Sequence, residues 1–307
     1  MTPKQFDVAM VGNVGINTNV YLYGQEIDFA VEANFSENVD YVGQAGGYTS
    51  RGYARLGYRT AFIGSVGDDV NGRFIRATFT QDSIDTTAVF TDPLGTHRSV
   101  NIMYRDGRRK NFYDGKGHMT LQPDLDLCRH ILSQSRLAHF HMPNWARLLL
   151  PIAKTLGIPI ACDIQDVVDP DDPYRRDFID YANVLFFSAV NHPDPTPIIH
   201  HYLQRNPAQL IIVGRGAEGA VLGSRDGIRF FPPIDLPQPV IDTNGAGDGL
   251  AVGFLASYLL DRYDLVAAVQ RGQIVARYTC TQKASSAHLI TAAHLNHYSG
   301  QNLSEAI

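Results

Sequence analysis

Short uninterrupted apolar runs recur along the chain at Phe6–Val11, Thr60–Gly64, Leu137–Phe140, Ile158–Cys162, Val184–Phe187 and Leu210–Val213. Runs of this length without alternation are typical of strands buried on both faces. After Pro123 they alternate with helical segments at Leu125–Ser133, Trp145–Leu156, Asp177–Tyr181 and Ile198–Gln204. That rhythm predicts a parallel sheet with crossover helices. Gly46–Gly47 opens a short helix ending at Gly57, and Asn71–Gln81 reads as another. The C-terminal third is helical over Gly247–Leu260, Leu265–Thr281 and Ala292–Tyr298.

Two segments, residues 14–45 and 96–114, break this rhythm. Glu26–Glu32 and Asp40–Val42 read as half-exposed strands around a polar turn, Asn34–Asn38. Val100–Tyr104 and Lys110–Tyr113 flank Asp106–Gly107, a hairpin signal. Strands inserted near strand ends suit a lid over an active-site edge. The expectation is one α/β domain over residues 1–307, carrying these two insertions.

Composition narrows the partners. In 307 residues, 44% are hydrophobic and 19% charged, ordinary values for a globular chain. Net charge is −5, with no footprint for nucleic acid or an anionic membrane. Cys128, Cys162 and Cys280 are too few and too scattered for a disulfide framework. Nothing near Met1 resembles a signal peptide and no run reaches 18 apolar residues, so a cytoplasmic protein is expected.

The most informative segment is Asp242-Thr243-Asn244-Gly245-Ala246-Gly247-Asp248-Gly249, between a strand-like Val240–Ile241 and an apolar helix. Small residues at a helix start leave backbone N–H groups bare, an anion hole at the positive end of the helix dipole. An aspartate beside such a hole makes sense if it accepts a proton from a hydroxyl that attacks a phosphoryl group held there. The plain alternative is a glycine-rich turn with Asp248 as a helix-terminal charge, which leaves Asp242 unexplained.

This segment resembles the C-terminal signature of the ribokinase or PfkB family of carbohydrate kinases. Gly12 with Asn17, Gly46-Gly47 with Arg55-Leu56-Gly57, and Gly64-Ser65-Val66-Gly67-Asp68-Asp69 with Gly72 resemble further family segments, so the likeness spans essentially the whole chain. Three departures stand out: Asn17 replaces a substrate-binding aspartate, Arg51 stands where a sugar-binding asparagine is usual, and Ser188 and Asn191 replace the family's Asn-x-x-Glu. The resemblance implies a three-layer α/β/α ribokinase-like sandwich with a small β-sheet lid. It implies ATP-dependent phosphorylation of a hydroxyl on a sugar or sugar-like molecule, with Mg²⁺ and a homodimer formed through the lid. Asp248 would be the base, with Gly245, Ala246 and Gly247 stabilising the transferring phosphoryl group. Asn17, Gly46, Gly47, Arg51 and Asn101 would hold the substrate. Ser188, Asn191, Gly214, Gly216, Gly219 and Asn244 would border the nucleotide, Asn191 also serving the magnesium's waters. Asp242 and Asn244 stand where a monovalent cation such as K⁺ binds in several members.

Rival readings remain. Phe29, Phe35, Tyr41 and Tyr48 could build a base-stacking lid for a nucleoside kinase. Ser188 and Asn191 would suit a sugar-binding regulator that has lost its metal shell, against which Asp248 stands. Gly214-x-Gly216-x-x-Gly219 fits a dinucleotide pattern, but a hairpin follows instead of a helix, so the Rossmann reading fails; no P-loop is present. His139 and His141 share one strand face without a third ligand at suitable spacing. Asp163, Asp166, Asp169, Asp171 and Asp172 read mostly as a solvated loop. Arg105, Arg108 and Arg109 in the hairpin would suit an acidic substrate or be solvated.

Overall fold

The protein is represented by a computed structural model that describes residues 3–304, and the side chains of 3–300. The parallel body contains β1 (Phe6–Val11), β4 (Thr60–Val66), β5 (Val89–Thr91), β8 (Ser135–Phe140), β9 (Ile160–Asp166), β10 (Val184–Ser188) and β11 (Leu210–Gly214). An antiparallel hairpin, β12 (Ala220–Ser224) and β13 (Gly227–Phe231), extends one edge. The order is β13-β12-β11-β10-β9-β8-β1-β4-β5.

One face is covered by α3 (Leu125–Ser133), a 3₁₀ turn at Asn144–Leu149, α4 (Leu150–Thr155), α5 (Arg176–Tyr181) and α6 (Thr196–Arg205). Trp145, Leu149, Phe178 and Ile199 pack there against Val11, Phe140 and Leu185. The other face carries α1 (Gln44–Arg55), α2 (Val70–Gln81), α7 (Ala246–Leu255), α8 (Leu265–Thr279) and α9 (Ala292–Ser304). Tyr53, Phe254, Leu255 and Ile274 pack against Val8, Leu137 and Phe186. Glycines at 249, 253 and 272 let α7 and α8 touch backbone to backbone: a Cβ on Gly253 would lie 2.8 Å from the Gly272 Cα. Every side chain of α7 from Gly249 to Leu255 is buried, so its start is held rigidly against the sheet.

A separate four-stranded sheet is built from β2 (Gly15–Leu22), β3 (Ser36–Gly43), β6 (His97–Met103) and β7 (Arg109–Asp114), in the order β3-β2-β6-β7. The expected hairpin around Asp106–Gly107 is present as β6 and β7. Glu26–Glu32, expected as a strand, is instead an irregular loop whose Phe29 and Val31 are exposed. The strand falls earlier, on Gly15–Leu22, where asparagines obscured it. Val240–Ile241 is also loop, anchored by the Ile241 N–H to the Cys280 carbonyl at 2.8 Å. The Gly67–Gly72 motif fixes the foot of the small sheet. Asp69 caps α2 by accepting from Gly72 N, and it accepts from both the backbone N and the hydroxyl of Thr96, just before β6. Among the described residues no helix is long and apolar enough to cross a membrane.

Candidate active site

The C-terminal ends of the parallel strands meet the small sheet and the start of α7 around a cleft of about 1640 Å³. Open parallel sheets place ligands at this edge. Gly245 enters α7 with φ +79°, and a Cβ there would overlap the Tyr48 ring, so only glycine fits the turn. A Cβ on Gly247 would meet nothing, because the backbone there faces open space. Asp248 follows in the first helical turn and lines the cleft.

Two groups frame Asp248. Burial pushes its carboxyl well above the usual range, the Asp163 carboxylate adds to this, and the Arg109 guanidinium opposes it. Asp163, near the end of β9, is itself pushed up to about 6 by burial, against a bond from the Gln165 N–H. A bulge shapes this strand end: Phe186 pairs with Asp163 but Ser188 pairs with Asp166, so β9 carries one extra residue. Gln165 absorbs it with φ +58°. The bulge brings Asp163, Gln165 and Asp166 all to the cleft. The sequence reading left these aspartates in a solvated loop; Asp163 is buried, in reach of Asp248 and of His141.

Arg109 is the other residue that the sequence reading left open. It donates to Asn244 Oδ1 in the loop that opens α7. Its neighbour Arg108 turns outward to Asp106 and Glu26. Arg109, Lys110, Asn111 and Tyr113 of β7 line the cleft, whereas Arg108 precedes the strand.

The small sheet presents amides to the cleft. Asn17 is buried with its Oδ1 unpartnered, and it donates to the Tyr41 hydroxyl at 3.3 Å. Asn101 also lines the cleft, but its amide is engaged: it donates to Asn19 Oδ1 and accepts from Asn111, both at 2.8 Å. Gly46 and Gly47 lie elsewhere. A Cβ on Gly46 would overlap the Asn13 carbonyl, Gly47 packs on Val42, and α1 lines the cleft through Gln44, Ala45 and Tyr48. Arg51 is turned away: its guanidinium bonds Asp82 at 2.6 Å and Ser286 at 2.8 Å, joining α1 to the end of α2 and to the loop after α8. None of these three positions is among the residues that line the cleft.

At the other end of the cleft stand Gly214, Gly216, Gly219, Ser188 and Asn191. Gly219 has φ +95° and its Cβ would overlap the Phe231 carbonyl. A 3₁₀ turn and the β12–β13 hairpin follow, as the failure of the dinucleotide reading requires. Ile234, Val240 and Gln273, unmarked in the sequence, close this end.

Asp242 is already engaged within the protein. Its Oδ1 accepts from the backbone N and the side-chain amide of Asn244. Its Oδ2 accepts from Asn19, the Tyr21 hydroxyl and Ala284 N. With five donors on one buried carboxylate, a monovalent cation would have to displace existing bonds. Asp242 braces the loop that opens α7.

The family model for the pfkB family carbohydrate kinases matches residues 7–292. The chain belongs to that family, and it is a kinase that phosphorylates a sugar-like molecule at the expense of ATP. It is 26% identical over 294 residues to the acarbose 7(IV)-phosphotransferase of Actinoplanes sp., covering 94% of this chain and 97% of that one. The solved structure of the microbiome-derived acarbose kinase Mak1 superposes with a TM-score of 0.89 at 30% identity, over 96% of this chain and 99% of that one. Ribokinase from Arabidopsis thaliana shares the fold, with a TM-score of 0.80 at 16% identity over 96% and 98% of the two chains.

Proposed function

We propose that the acceptor is an acarbose-like oligosaccharide, and that Asp248 and Arg109 perform the transfer. The observation that carries the reading is Asp248 at the glycine-lined start of α7, with the Arg109 guanidinium reaching the same loop. Asp248 takes the proton of the acceptor hydroxyl. The oxygen attacks the γ-phosphorus, the bond to the β–γ bridging oxygen breaks, and ADP leaves. A carboxylate whose proton affinity is raised by burial is a better acceptor for a hydroxyl proton than an ordinary one. The N–H groups around Gly247 and the Arg109 guanidinium stabilise charge on the moving phosphoryl group.

The cleft is larger than the roughly 300–1,000 Å³ of a typical single-ligand pocket, as two ligands require. Asn17, Ser99 and Asn111 offer amides and a hydroxyl on the acceptor side, groups suited to sugar hydroxyls. Of the four aromatics that a base-stacking lid would need, Tyr48 lines the cleft and Phe29, Phe35 and Tyr41 do not. ATP fits the end bordered by Gly214, Gly216 and Gly219. Magnesium carried with it would neutralise phosphate charge, and Ser188, Asn191 and Asp166 are the groups available to its waters. The Asp166 carboxylate, paired in register with Ser188, offsets the absence of a carboxylate at position 191. The small sheet serves as a lid, and its outer face pairs two chains.

The test is ATP consumption with acarbose, maltooligosaccharides, pentoses, hexoses, sugar acids and nucleosides. Turnover is expected with acarbose-like oligosaccharides. Turnover with nucleosides alone would overturn the reading.

A further inference from the structure

His141 immediately follows β8 and is 2% exposed, yet neither of its ring nitrogens has a hydrogen-bond partner among the described residues. A buried imidazole left so is destabilising unless something binds it. What it faces explains the arrangement. One His141 ring nitrogen, one Asp163 oxygen and one Asp248 oxygen all lie within 4.8 Å of one another. Three separate elements supply them: the end of β8, β9 and the start of α7. Two carboxylates this close at the edge of the cleft repel, and a nearby imidazole offers a lone pair that nothing accepts.

We propose that His141, Asp163 and Asp248 form a binding site for a divalent first-row transition ion such as Mn²⁺, separate from the magnesium carried by the nucleotide. One imidazole and two carboxylates form a mixed nitrogen and oxygen set. Imidazole suits the transition ions, whereas Mg²⁺ keeps oxygen ligands and most of its water. Bonds of about 2.0–2.2 Å require the three atoms to draw closer than their present span, which carboxylate rotation supplies. One of the two carboxylates is held in place. Gln165 N holds Asp163 Oδ1 at 2.8 Å and orients that carboxylate. The His139 ring lies 5.1 Å behind His141 and is itself held through Nδ1 by the Tyr53 hydroxyl at 3.1 Å. The site stands on its own geometry. Only its consequence rests on the kinase reading: the ion and the acceptor's proton compete for Asp248.

The experiment uses full-length protein without nucleotide or sugar. Mn²⁺ is titrated, and the free ion is followed by electron paramagnetic resonance. The wild type is expected to bind one Mn²⁺ per chain, retained against a large excess of Mg²⁺, and to show a rise in Tm on binding. Asp163→Asn keeps the side-chain shape and is expected to lose at least about 10-fold in affinity, together with the Mn²⁺-induced rise in Tm. His141→Asn, checked for folding by its melting curve, is expected to do the same. Absence of saturable Mn²⁺ binding, unchanged affinity in folded Asp163→Asn, or displacement by equimolar Mg²⁺ would each overturn the site. None of these outcomes touches the sugar-kinase reading, which the ATP-consumption panel decides separately.

Discussion

Asn19 donates from Nδ2 to Asp242 Oδ2 at 2.9 Å, joining residues 223 positions apart. The bond ties the second strand of the small sheet to the loop that opens α7. It continues outward across the sheet, with Asn101 donating to Asn19 and Asn111 to Asn101. All three amides sit at one register level of β2, β6 and β7. The loop that opens α7 and the small sheet are therefore one hydrogen-bonded unit.

Asp248→Asn should lower kcat by about 10²–10⁴-fold while leaving acceptor binding in place. Steady-state kinetics with calorimetry on the same sample separates the two. Turnover near that of the wild type would remove Asp248 as the base.

Arg109→Ala should reduce kcat by about 10²–10³-fold, the effect of losing one charged donor to a developing oxyanion. Arg109→Lys should recover only part, because an ammonium lacks the planar fork that spans Asn244 and the phosphoryl site. A change confined to KM would place Arg109 in acceptor binding instead.

Arg51→Ala should act on stability. It leaves the half-buried Asp82 carboxylate without its ion pair and removes a donor to Ser286, at a cost of about 2–4 kcal/mol. Chemical denaturation should show this loss while the KM for the acceptor is unchanged. A raised KM with unaltered stability would return Arg51 to the substrate.

Asp163→Asn should change how stability depends on pH. The folded pKa of Asp163 is raised from 3.8 to about 6, so its contribution is fully present below 3.8 and lost as pH rises through about 6. The asparagine variant does not suffer that loss. Without added metal its Tm should exceed that of the wild type at pH 8, and the difference should vanish near pH 4. Parallel Tm profiles would show that Asp163 does not titrate as its burial dictates.

The outer face of the small sheet predicts association. Val100 and Phe112 pair directly across β6 and β7, with Ile102 and Val20 alongside, and Phe112 is 59% exposed. Static light scattering at micromolar concentration should give a dimer, and Phe112→Asp should give a monomer. A monomeric wild type would leave this face without the proposed role.

The large sheet, the crossover helices and the loop from Asp242 to Asp248 are legible in the residues alone. Buried strands and amphipathic helices write their periods into contiguous residues, and glycine marks turns that no other residue can adopt. Gly245 and Gly219 were legible for that reason. β2 was not, because its inward positions are asparagines that serve the cleft and so disguise the alternation of a strand. Gly46, Gly47 and Arg51 were legible as residues but not as neighbours, since which way α1 turns depends on its packing against Asn13, Val42, Asp82 and Ser286. The corner formed by His141, Asp163 and Asp248 was decided by tertiary structure alone. Its members end two adjacent strands and begin a helix 85 residues further on, and no local spacing records that a parallel sheet and a bulge at Gln165 bring their side chains together.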